Sequence, residues 1–211
     1  MLKKAAGKPG LPRGSSTLGP ERVVRVWDPL VRCFHWSAAG LTLLCLVTEN
    51  ETLAVHVGAG YTLLGLMALR IVWGFVGPRH ARFVDFCYRP STVLRYFAGL
   101  LRGTAPRYMG HSPAGGAMIV ALMAAVTLAG LSGLAALGAE EHSGPLAGVL
   151  SGANLALRNT LGMIHGSLGG ILWFLIGGHL AGVALASLAH HENLVAYMVH
   201  GKKRAADHAP S

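Results

Sequence analysis

Four apolar windows, at about residues 33–47, 53–76, 113–137 and 161–188, dominate the chain and leave it few ways to fold in water. A hydrocarbon core of about 30 Å is crossed by about 20 helical residues, and backbone amides in lipid find partners only within a helix or a closed barrel. The first window is short and recruits residues 29–32, with Arg32 reaching back to the headgroups. The expected fold class is therefore all-α, a transmembrane four-helix bundle with spans at about 30–48, 53–76, 113–137 and 161–188. Composition agrees, since 52% of the 211 residues are hydrophobic and only 13% are charged.

Basic residues set the orientation of such a bundle, because lysines and arginines collect on the cytoplasmic side. Seven precede the first span, six lie between the second and third, and Lys202, Lys203 and Arg204 follow the fourth. The two opposite connections hold Arg158 together with Glu49, Glu51, Glu140 and Glu141. Both termini are thus expected to be cytoplasmic, in a multi-pass protein of the bacterial cytoplasmic (inner) membrane. The net charge of +9 then reflects topology and anionic lipid headgroups, and no nucleic-acid partner is expected.

Cys33, Cys45 and Cys87 form no CxxC or CxxCH and are odd in number, so neither a disulfide framework nor covalent haem attachment is expected. Residues 1–21 contain lysines but no apolar stretch of a signal peptide and are read as a disordered basic cytoplasmic tail. The transmembrane domain is 22–204, and 205–211 is a C-terminal tail. Residues 91–102 have the spacing of a short helix lying on the membrane surface. The 140–160 loop, with an apolar stretch around 146–150, is the expected partner-facing surface.

Histidines carry the chemistry. His165 and His179 stand fourteen residues apart, so they share one helix stripe about 21 Å apart in depth. His35 lies near the inner end of the first span and His56 near the outer end of the second. Depth alone pairs His56 with His165 and His35 with His179. Two imidazoles from two helices are a low-spin axial set for haem iron, with no open position for substrate. Zinc would want four ligands with thiolates or a carboxylate, whereas each layer offers two histidines and no carboxylate. Glycines near these histidines, among them Gly58, Gly60, Gly166, Gly169, Gly170, Gly177, Gly178 and Gly182, suit slots for a planar macrocycle, or equally close helix contacts.

Arg70 lies fourteen residues after His56 on the same stripe, at the depth of the inner pair. A charge there is costly without a partner, and a haem propionate is one that a guanidinium fork can hold; snorkelling to lipid phosphate is the plainer alternative. His190 is about 37 Å along the helix from His165 and, with His191, is expected at the interface. His80, His111, His142, His200 and His208 fall in loops or tails and are expected to be solvated.

The segments VWDPLVRCFHW (26–36), LAVHVGAGY (53–61), LRIVWGFVGPRHARF (69–83), GHSPAGGAM (110–118), the run from His165 to Val183 and HHENLVAYMVHGKKR (190–204) together resemble the bacterial cytochrome b561 family, which also groups the b-type cytochrome subunits of nickel-iron hydrogenases. The resemblance implies two non-covalent haem b groups per chain, held by His35, His56, His165 and His179. It also implies electron exchange with quinone or a partner redox protein. The expected function is electron transfer between the quinone pool and a partner such as a periplasmic cytochrome c, with no proton pumping, because no carboxylates line the spans. Whether this amounts to a quinone-linked oxidoreductase activity, and whether the chain forms a homodimer, the sequence leaves open. The first alternative is a membrane-anchoring, electron-wiring subunit of a larger oxidoreductase such as a hydrogenase, whose cytochromes are usually longer by a helix. The second is a non-haem metal-binding or transport protein.

Overall fold

The computed structural model describes residues 23–25, 27–48, 52–78, 81–106, 108 and 110–204. The expectations for the two tails, and for Glu49, Glu51, His80 and His208, lie outside the described residues. Four long helices, α1 (Pro29–Thr48), α2 (Leu53–Val76), α4 (Pro113–Glu140) and α6 (Leu155–His190), are apolar and long enough to cross a membrane. Three short ones accompany them: α3 (Pro90–Leu101), α5 (Ala147–Leu150) and α7 (Leu194–His200). Two three-residue strands, β1 (Val23–Arg25) and β2 (Lys202–Arg204), pair antiparallel.

Local chemistry starts and stops these helices. Asp28 Oδ1 accepts from the Val31 amide at 2.9 Å ahead of Pro29, and the Ser112 hydroxyl accepts from Gly115 N at 3.2 Å ahead of Pro113. Asn154 caps α6 by accepting from Leu157 N at 2.9 Å, and so begins that helix six residues before the expected span. Its 36 residues reach about 54 Å, well beyond a core of about 30 Å. His191, left-handed at φ 50°, ends it.

The β1–β2 pair places both extremes of the described chain at one end of the bundle, hereafter the clasp end. There the Trp27 amide also donates to the Gly201 carbonyl at 3.3 Å. From the clasp end α1 runs to the far end, α2 returns, α4 goes out again and α6 returns. Leu63 and Met67 of α2, Ala125 and Val126 of α4 and Leu172 of α6 form the buried centre, with Phe34, Ala38 and Leu41 of α1 against it. The outer surface is apolar as well: Leu69, Phe75 and Phe174 are 68, 71 and 80% exposed, as lipid-facing residues are.

At the clasp end the α2–α3 connection folds back over the bundle. Gly74 admits the Phe83 ring and Gly116 admits the Phe86 carbonyl, each at a place where a Cβ would collide. Trp27 and Phe86 pack on His111, with ring centres 4.4 and 4.9 Å away, so His111 is not the solvated loop residue the sequence suggested. The returning loop brings these aromatic faces to it. Tyr88 donates to the His111 carbonyl at 3.2 Å, and burial, then Tyr108 and Asp85, push its phenol up, so it stays a protonated donor. The Arg32 guanidinium lies over Gly201, which the clasp carries across the first turns of α1.

Candidate functional site

The structure brings the four histidines together in the two pairs that depth predicts. At the far end the rings of His56 (α2) and His165 (α6) are 5.8 Å apart between centres and mutually perpendicular at 90°. Toward the clasp end His35 (α1) and His179 (α6) are 6.3 Å apart at 56°. Fourteen residues of unbroken α6 put the two levels about 21 Å apart, and Leu172 stands midway in the apolar layer between them.

These separations are those of two imidazoles sharing a metal. Two metal–nitrogen bonds of about 2 Å each, plus the two half-rings, set ring centres about 6 Å apart. Hydrogen bonding fixes which nitrogen is available at the far end. His56 Nδ1 lies 3.0 Å from the Cys45 carbonyl, and His165 Nδ1 lies 3.0 Å from the Ala129 carbonyl. A carbonyl only accepts, so each Nδ1 carries the proton and each Nε2 is the nitrogen that bears the lone pair. Orientation of an imidazole through its remote N–H is the usual second layer of a metal site.

Among the described residues no group of three or more His, Cys, Asp or Glu gathers. Two imidazoles form a full axial set when a macrocycle supplies the equatorial positions. The glycines speak to the room such a group needs. A Cβ added at Gly58, Gly60, Gly166, Gly170, Gly177 or Gly182 would meet nothing within 4 Å, so these glycines border open space and do not serve close helix contact. Gly130 and Gly133 behave oppositely: a Cβ there would press on Leu64 and on the His165 ring.

Arg70 is buried, at 4% exposure. One terminal nitrogen donates to the Ala81 carbonyl at 3.0 Å, and Phe34, Phe83 and Phe86 present ring centres within 5.4–5.9 Å of the guanidinium carbon. Its other terminal nitrogen has no hydrogen-bond partner. Arg32 Nε, His35 Nδ1, Trp73 Nε1 and His190 Nε2 are likewise buried without partners, all toward the clasp end. Buried donors left unmet are costly, and this set suits a bound group bearing carboxylates.

Residue patterns in the sequence pointed to the four histidines and to Arg70, but not to what seats them. Cys45, Ala129, Ser132 and Gly133 all touch a histidine ring, and α4, the spanning helix without a histidine, forms the bed of His165. The only signal for this in the sequence is the small residues of α4 at the depth of His165.

The chain matches the family model described as prokaryotic cytochrome b561 over residues 26–201, which takes in all four long helices and both histidine pairs. It belongs to the prokaryotic cytochrome b561 family. No curated protein and no solved structure gave a match. As a member of this family the protein is a multi-pass membrane cytochrome, and membership implies b-type haem and electron transfer. The paired imidazoles and the glycine-bordered spaces fit that group.

Proposed function

We propose that the protein is a di-haem b cytochrome of the bacterial inner membrane, passing electrons between the quinone pool and a redox partner such as a periplasmic cytochrome c. Two histidine pairs at two depths, with ring centres 5.8 and 6.3 Å apart, carry this reading. His56 and His165 hold the far-end haem iron, and His35 and His179 the clasp-end one. Haem supplies reversible one-electron redox chemistry at each level. The protein's residues orient, insulate and tune: Cys45 and Ala129 fix the far-end imidazoles, Leu172 and its neighbours exclude water between the levels, and Arg70 binds a propionate of the clasp-end haem. Distribution of lysine and arginine supports a cytoplasmic clasp end.

The test is the optical spectrum and haem content of the purified, dithionite-reduced protein. A b-type α-band with about two haems per chain is expected. His56→Ala or His165→Ala removes the far-end centre and His35→Ala or His179→Ala the other; loss in any other pairing overturns the assignment. A colourless protein after expression with ample haem overturns the function.

A further inference from the structure

α4 contributes no histidine, yet it surrounds one ring nitrogen of His165. The Ala129 carbonyl lies 3.0 Å and the Ser132 hydroxyl 3.2 Å from Nδ1, while Ser132 also donates to the Ala129 carbonyl at 2.9 Å. The Ser132 proton is therefore engaged, and its lone pairs face the Nδ1–H. Other hydroxyls on the long helices behave differently: those of Thr62 and Thr127 return to the carbonyl four residues back, at 2.8 Å each, with no ring nitrogen in reach. Gly133, next to Ser132, leaves the ring its space, since a Cβ there would stand 2.9 Å from His165 Cε1.

We infer that Ser132 is a positioning residue whose hydroxyl shares the His165 Nδ1–H, holds the ring with Nε2 toward the metal, and lowers the reduction potential of the far-end centre. The inference rests on the far-end histidine pair being a haem site. A stronger acceptor on the remote N–H makes the imidazole a more basic ligand, which favours the more positively charged oxidised iron. Deleting the hydroxyl weakens that hold and adds an apolar methyl, and both changes favour the reduced state. The clasp-end pair lies about 21 Å away, and its His35 Nδ1 has no hydrogen-bond partner.

The experiment is a redox titration of the haem-loaded protein followed by optical and EPR spectra, for the parent chain, Ser132→Ala and Ser132→Thr. Ring-plane angles of 90° and 56° give the two centres different EPR anisotropy, so each is followed separately. Ser132 borders a groove of about 700 Å³ with Leu128, Leu131, Met163 and Ile164, which leaves room for the threonine methyl. In Ser132→Ala the reduced-to-oxidised ratio of the far-end centre at fixed ambient potential rises about three- to tenfold, tenfold being 59 mV for one electron. Ser132→Thr returns it to within about twofold of the parent. Loss of the far-end centre in Ser132→Ala with retention in Ser132→Thr supports the same role. A parent protein with two low-spin centres and a Ser132→Ala variant with neither ratio raised, or both raised equally, overturns the inference; a parent without two centres overturns the functional reading instead.

Discussion

An imidazole offers one nitrogen to a metal only when its other nitrogen has somewhere to place a proton. At the far end two backbone carbonyls provide that place before any cofactor arrives, so the histidine tautomers are chosen by the fold. Crowding at the same ring makes a sharp prediction. Gly133→Val drives two methyls into His165, so haem content falls from about two to about one per chain and the more anisotropic EPR signal disappears. The anisotropy assignment is itself testable in the single-histidine variants. Perpendicular axial rings leave two iron d orbitals nearly equal in energy, so the signal lost in His56→Ala is the broader one. Arg70→Gln keeps a donor but removes the charge, and lowers the haem-loaded melting temperature more than that of the haem-free protein. The histidines were legible because periodicity converts residue number into membrane depth. Cys45, Ala129 and Ser132 were not, because a carbonyl is present at every position and only the facing helix decides which one meets a ring.

Among the elements, the four spans were legible to within a few residues, since apolar length is the one signal a bilayer enforces. Early initiation of α6 followed from a cap, Asn154, that the apolar window does not contain. α3 was expected at 91–102 and runs Pro90–Leu101, and α5 lies within the apolar stretch of the far-end loop. The fold-back of the α2–α3 connection was not legible. It depends on Gly74 and Gly116 receiving Phe83 and the Phe86 backbone, a complementarity between segments distant in sequence. Gly116→Ala pushes that backbone away and costs about 1–3 kcal/mol, read as a lowered melting temperature with both haem signals retained.

For the molecule as a whole, orientation is a matter of charge asymmetry, and Cys87 reports it. This exposed thiol lies in the clasp-end connection. In a Cys33→Ser background, a membrane-impermeant maleimide labels it in inside-out vesicles and not in right-side-out ones; the reverse pattern inverts the topology. Each histidine pair also joins the α1–α2 hairpin to α6 of the second hairpin, so both centres lie across the same seam. β1 and β2 close that seam at one end, between segments at opposite extremes of the described chain. Because all four long helices lie between the two strands, β1 cannot pair until the last of those helices has been made. Until then the polypeptide is an unbuckled pair of hairpins, and porphyrin has its widest access before the buckle shuts.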